Sequence, residues 1–277
     1  MGIVVTDRHR GVLVCTLNRP ESLNGLTGEL LAEYLSILEQ ARTDDTVRVV
    51  VTTGAGDAFS VGADMGDLGS EDARHGLNAL MYEKLGRTAT LGAADRTFDR
   101  LGIGREALAI RNFDKPLVAA VNGAAAGGGF ALAMLHDIRL VSERASFTSA
   151  FVRVGLVADM GLSYTLPRAI GLEAATDLML TGRTVDAAEA ARMGLVRRVI
   201  APEDLMQETI AYAEAIAAAA PIAVQFVKRA LVRSLDNDFL RQLEVEWPYQ
   251  TAAFDTEDAR EGIAAFRERR PPRFTGH

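Results

Sequence analysis

The chain has 277 residues, 48% of them hydrophobic and 24% charged, too apolar for disorder and long enough for one large domain or a domain with an appendage. Its formal net charge is −7 and it has no basic tract, which argues against nucleic-acid binding by phosphate neutralisation. The single cysteine, Cys15, can make neither an intramolecular disulfide nor a zinc cluster, and it fits a reducing compartment.

The first residues, MGIVVTDRHRG, have no apolar run of the kind that directs secretion, and a lipid anchor is not expected on the Met-Gly start. Two short strands are predicted, Ile3 to Asp7 and Gly11 to Leu17, joined by a charged hairpin turn. Thr27 is a candidate N-cap for a helix over Gly28 to Thr43, with Leu30, Leu31, Tyr34, Leu35 and Leu38 on one face. Val47 to Thr53 reads as a buried strand ending in a glycine turn. The stretch from Gly66 to Phe113 reads as helices and loops.

Strand character returns at Leu117 to Val121, followed by a glycine run and a helix to about Leu135. The interruption by Asn122, Gly123, Gly127, Gly128 and Gly129 excludes a membrane span, which needs about 20 continuous apolar residues. Ile138 to Val141 and Ser146 to Thr148 are strand-like. Pro167 to Leu180 and Val185 to Met193 are helical, and Val196 to Ile200 is a last strand. Beyond Ala201 only helices are predicted: one from Pro202 running into Ala211 to Ala220, then Ile222 to Leu235, Asp238 to Glu246 and Thr256 to Arg267. The change near residue 200 divides the chain into a mixed α/β part, 1–200, and a helical part, 201–277.

Residues 49–68 and 116–135 share one plan: buried strand, glycine-rich bend, helix start. Such a bend leaves backbone N–H groups that the following helix cannot satisfy. A tight packing turn explains one bend. Two in one α/β chain suggest two donors converging on one oxygen, an oxyanion hole. Neither bend carries G-x-G-x-x-G or a Gly-Lys-Ser/Thr phosphate loop.

The strings LNRPESLNGL (17–26), GDAFSVGADM (56–65), KPLVAAVNGAAAGGGFALAMLHDIRL (115–140), GLVADMGLSYTLPRAIG (155–171), TGRTVDAAEAARMGLVRRVI (181–200) and FRERRPPRF (266–274) resemble the crotonase, or enoyl-CoA hydratase/isomerase, superfamily. The resemblance spans nearly the whole chain and implies an α/β spiral of repeated ββα units with a C-terminal helical trimerisation region. It implies an acyl-CoA thioester substrate and a homotrimer or hexamer. No metal and no separate cofactor are implied, since coenzyme A is part of the substrate. A cytoplasmic protein with no membrane or nucleic-acid partner is expected.

By motif position the oxyanion donors fall on the backbone N–H groups of Ala63 and Gly128. Leu23, Ala63, Asp64, Met65 and Gly66 fall on the coenzyme A path, with Gly66 where the family often has a basic residue. Hydratases of the family place two glutamates at the positions of Ala131 and Phe151, and neither residue here can carry a proton. These two become acyl-pocket residues. One acid stays in register: Asp159, where isomerase-like branches have a proton-transferring aspartate and dehalogenases a nucleophilic one. Its structural alternative is an N-cap for the helix starting near Gly161.

Three readings stand beside each other. The first is an enoyl-CoA isomerase using Asp159. The second is a non-catalytic acyl-CoA binder, and the third is hydratase-like or dehalogenase-like chemistry. His136-Asp137 resembles a catalytic pair, but neighbours in an extended segment face opposite ways. Ser60 misses the G-x-S-x-G pattern, Cys15 and Trp247 read as packing residues, and Glu83, with His75 and Tyr82, could supply an extra acid or shape the pocket.

Overall fold

The structure, a computed structural model, describes residues 2–64 and 104–277. The opening hairpin forms as expected: β1 (Val4–His9) pairs antiparallel with β2 (Val12–Leu17), and Gly11 takes a positive φ of 73° in the turn. From β2 onward the sheet is parallel, through β3 (Val49–Gly54), β5 (Leu117–Val121), β7 (Ile138–Ser142) and β10 (Arg198–Ile200), in the order β1-β2-β3-β5-β7-β10. Every residue of β3 and β5 is buried, as in a parallel sheet covered on both faces.

The period of two then decides which helix each residue meets. Val50, Leu117, Ala119 and Val121 pack with α1 (Gly28–Thr43) through Leu30, Leu31, Tyr34 and Leu38. Val49, Val51, Val118 and Ala120 face the other way and meet the helix Leu205–Ala217 through Leu205, Ala213 and Ala217. Thr27 caps α1 as its sequence predicts, its hydroxyl accepting from the Leu30 N–H at 3.2 Å.

Of a second sheet the sequence shows only the strand Ser146–Thr148. The sheet runs β4 (Ala58–Ser60), β6 (Ala124–Ala126), β8 (Ser146–Thr148), β9 (Thr184–Asp186), each strand three residues long. β4, β6 and β8 each follow a strand of the first sheet within a few residues, so the chain visits both sheets in each turn of a spiral. Strands of three residues are too short for a readable alternation, and β6 is three alanines. The helix expected over 167–180 is two helices, Leu162–Ile170 and Leu172–Thr181, broken at Gly171 with φ 84°.

Past residue 200 the described chain is helical: Leu205–Ala217, Pro221–Ser234, Phe239–Phe254 and Glu257–Glu268. Pro221–Ser234 is clamped to the core by Lys228, whose Nζ meets Asp137 Oδ2 at 2.8 Å and donates to Lys115 O at 2.9 Å. Arg229 pairs with Asp114 at 2.7 Å beside it. Trp247 departs from its expected packing role: it is 73% exposed, in a helix with no fully buried residue. Leu231, Phe239, Leu240, Phe254 and Phe266 are also exposed on these helices. No single helix among the described residues is long and apolar enough to cross a membrane.

Cys15 is fully buried in β2, and burial pushes its thiol up to about 12, so it is inert as expected of a core cysteine. His136 and Asp137 do not pair. Asp137 accepts from the Leu117 N–H at 2.7 Å, while His136 turns inward. Its Nδ1 donates to Leu132 O at 2.9 Å, so Nε2 is the acceptor facing Thr52 Oγ1 at 2.8 Å, with the Tyr34 hydroxyl 2.9 Å from that oxygen.

Burial lowers the His136 imidazole to about 4. Above pH about 6.5 the ring is neutral in both folded and unfolded chains, and its contribution is intact. As pH falls the unfolded chain takes the proton first, and by pH 4 this costs about 3 kcal/mol. His136→Gln should therefore lose stability less steeply than wild type between pH 6.5 and 4. Urea titrations at several pH values will read that slope, and equal slopes would remove His136 from the acid transition.

Candidate active site

Three chain segments meet at Gly128, the first residue of the helix Gly128–Met134. A Cβ placed there would lie 3.3 Å from Leu26 Cδ1, 3.7 Å from Gly62 Cα and 3.7 Å from Met160 Sδ. The contact brings together the loop after β2, the bend after β4 and the loop holding Asp159. Only glycine permits the approach between the two bends. Gly62 has φ 86°, and a Cβ on it would stand 2.8 Å from Gly128 N and 2.7 Å from Ala126 O.

The aim of the Ala63 N–H follows from peptide planarity. Leu26 and Ala63 form a parallel bridge in which Leu26 N donates to Gly62 O at 2.7 Å and Asp64 N donates to Leu26 O at 3.3 Å. In a trans peptide the carbonyl of Gly62 and the N–H of Ala63 point in opposite directions. Fixing the carbonyl toward Leu26 fixes the N–H away from it. That N–H has no hydrogen-bond acceptor among the described residues, and neither has the N–H of Gly128, which opens its helix and lies among the donors a helix cannot satisfy itself. The two bends expected to supply donors are thus adjacent, each with an open N–H.

Asp159 lies in the loop before the helix Leu162–Ile170. It is not that helix's cap: Gly161 holds the N-cap position with no side-chain cap, and the helix N–H of Leu162 donates to the Asp159 backbone carbonyl at 3.0 Å. Its Oδ1 is buried without a hydrogen-bond partner, and burial raises the carboxyl above the usual carboxylate range. The next residue, Met160, is buried and adopts a positive φ of 48°, unusual outside glycine, with its sulfur against the Gly128 bend. The loop is therefore pinned to the oxyanion side by a packed, left-handed residue.

Ala131 is completely buried one turn after Gly128, and Phe151, 8% exposed, opens the 3-10 turn Phe151–Val154. Both belong to the apolar cluster that contains Met160. Leu23 is half exposed in the loop after β2, and the Asp64 carboxylate is engaged by Arg19 at 3.0 Å. Met65, Gly66, His75, Tyr82 and Glu83 lie outside the described residues.

Sequence reasoning gave no role to two groups here. Leu26 brackets Ala63 with its backbone and touches the Gly128 bend with its side chain. It stood inside the string LNRPESLNGL, but no role for it could be read from that string. Glu106, in the first turn of the helix Gly104–Arg111, has Oε2 buried without a partner, and burial raises its carboxyl too. Among the described residues, Asp159 and Glu106 supply the carboxylate oxygens in that condition.

The family model for enoyl-CoA hydratase/isomerase matches residues 7–90 and 87–277. The 1,2-epoxyphenylacetyl-CoA isomerase of Escherichia coli is 33% identical over 276 residues, covering 100% of this chain and 99% of that protein. The (E)-benzylidenesuccinyl-CoA hydratase of Thauera aromatica is 37% identical over 266 residues, covering 96% of each. The crystal structure of an enoyl-CoA hydratase from Bacillus anthracis superposes with a TM-score of 0.86 at 30% identity, over 100% of both chains. On these matches and the spiral fold, the chain belongs to the enoyl-CoA hydratase/isomerase family.

Proposed function

We propose that this chain is an enoyl-CoA isomerase that moves the double bond of a 3-enoyl-CoA to the 2-position, using Asp159 as its proton carrier. The observation that carries the reading is the Asp159 carboxylate, whose Oδ1 is buried without a partner on a loop packed against the Gly128 bend, while the two hydratase glutamate positions hold Ala131 and Phe151.

The reaction needs one base and one oxyanion site. Asp159 takes the proton from C2, and the C–H electron pair passes through the thioester carbonyl to its oxygen, forming a dienolate. The N–H groups of Ala63 and Gly128 hold that oxygen, and losing one such donor typically costs about 3 kcal/mol of transition-state stabilisation. The carboxylic acid then returns the proton at C4 and the electron pair reforms the carbonyl. Burial supports both halves of the cycle, because a carboxyl raised toward working pH is a better base and a usable acid. Ala131 and Phe151 wall the acyl side, keeping water from the dienolate. Leu23 and Asp64 line the coenzyme A path.

The hydratase reading has its own support. Hydratase names recur among the relatives, and Glu106 is a second carboxylate with a buried, unpartnered oxygen. Crotonyl-CoA decides between them. Wild type should not hydrate it appreciably, and turnover on the order of 10 per second would give the reaction to a carboxylate other than the missing pair.

Asp159→Asn should keep acyl-CoA affinity and lower isomerisation of 3-enoyl-CoA by about 10²- to 10⁴-fold, read as kcat against KM. The same variant should be more stable than wild type at pH 8. An acid raised by folding contributes fully only below its unfolded value near 4, and that contribution is lost as pH rises through its folded value. The gain should vanish toward pH 4. A variant less stable than wild type at pH 8 would restore a structural role for the carboxylate.

The exposed apolar residues of the C-terminal helices, Leu231, Phe239, Leu240 and Trp247 among them, support assembly as a homotrimer or a doubled trimer. Sedimentation at micromolar concentration should give three chains or a multiple, and a monomer would overturn this.

A further inference from the structure

Arg19 is the residue of the loop after β2 that the proposed reaction leaves without a role. Its guanidinium reaches two groups at once. Nη1 donates to Gly25 O at 2.7 Å, and Nη2 meets Asp64 Oδ2 at 3.0 Å, with both side chains 21% exposed. Gly25 precedes Leu26 and Asp64 follows Ala63. The fork therefore spans the parallel bridge whose members are Leu26 and Ala63.

Gly25 O and Leu26 N belong to one peptide plane, and Gly62 O and Ala63 N to the next. The guanidinium donates to the carbonyl of the first plane. The N–H of that plane donates to the carbonyl of the second at 2.7 Å, and the N–H of the second is the open donor of Ala63. Every link runs donor to acceptor in one direction: Arg19 Nη1, Gly25 O, Leu26 N, Gly62 O, Ala63 N. Hydrogen bonds in such a chain polarise one another, by about 10–30% per bond. A cation at its head drives the polarisation toward a more positive N–H at its tail.

We infer that Arg19 is a positioning residue for the oxyanion site, aiming and polarising the Ala63 N–H through two peptide groups, with Asp64 holding the guanidinium in place. The inference rests on the reading of Ala63 and Gly128 as oxyanion donors. The loop it acts through is over-determined in other ways. Leu23 and Asn24 both have positive φ, 52° and 56°. Asn24 Nδ2 donates to Ala55 O and Ala58 O at 2.8 and 2.7 Å, and Arg19 N donates to Asn24 Oδ1 at 2.9 Å. A loop held this firmly by Asn24 can keep its course when the Arg19 side chain is cut back, so the effect on the donor can be separated from an effect on folding.

The test uses the full-length protein with two readouts: steady-state kinetics on a 3-enoyl-CoA, and the infrared carbonyl frequency of bound butyryl-CoA labelled with carbon-13 at the thioester. The frequency reads the oxyanion donors directly and requires no turnover. In wild type and in Asp159→Asn, binding should lower it. In Arg19→Met the lowering should shrink, and kcat should fall by about 10- to 100-fold, the size of a donor misplaced by about 1 Å, while KM changes less than about threefold. Arg19→Lys keeps the charge but cannot bridge Gly25 O and Asp64 together, and should fall between the two. Asp64→Ala should resemble Arg19→Lys, and adding it to Arg19→Met should cost little more than Arg19→Met alone. An Arg19→Met protein whose bound carbonyl matches wild type overturns the inference, whatever its kcat. A wild-type carbonyl unmoved by binding would overturn the oxyanion reading itself, a separate result.

Discussion

A trans peptide plane has one degree of freedom fewer than its two hydrogen-bonding groups would need to be placed independently. In this protein that constraint sets the direction of an open N–H at the junction of the two bends. The carbonyl of Gly62 is bound by Leu26 N at 2.7 Å, so the N–H of Ala63 has its direction set from behind. No side chain at Ala63 is involved, and a small one is all the site can use. The opposing donor at Gly128 is positioned by a different rule, the unsatisfied first turn of a helix, and the two meet because Gly62 has no Cβ to keep them apart.

The larger architecture follows from the need to bring those bends together. Each bend sits where the chain leaves the short sheet, β4 for Ala63 and β6 for Gly128, and β4 and β6 pair in parallel. Parallel neighbours present equivalent ends side by side, so two repeats of one strand-bend plan deliver two equivalent donors to one place. β8, the next strand of that sheet, accepts from Gly127 N through Thr148 O at 2.9 Å and leads on toward the Asp159 loop. Asp159 then precedes Met160, which belongs to the apolar cluster that also holds Ala131 and Phe151.

What could be read from the sequence was whatever depended on periodicity or on local capping. Helix α1 emerged with its bounds because Thr27 and the spacing of Leu30, Leu31, Tyr34 and Leu38 state them locally. The fully buried strand β5 is an unbroken apolar run, and β3 opens on three valines. Of the short sheet only Ser146–Thr148 could be read, since Ala124–Ala126 shows no alternation, and Gly171 gave no warning that it splits a helix. Asp159 was found through family register, yet its lack of a partner is a property of packing. The path from Arg19 to Ala63 runs through backbone atoms of Gly25, Leu26 and Gly62, whose side chains do not encode it.

The pairing of β3 with β5 has a consequence for how such a protein can change. Val50 lies beside Leu117, so the chain between them, 65–103 included, closes a loop whose ends are fixed by a buried parallel ladder. Closure entropy grows only with the logarithm of length, each doubling costing about 0.6 kcal/mol. Added length between the two strands therefore costs little in closure entropy, whereas the strands themselves tolerate no register slip. Chain length between β3 and β5 can therefore change while the register of the buried ladder, and with it the placement of the strands that follow, stays fixed.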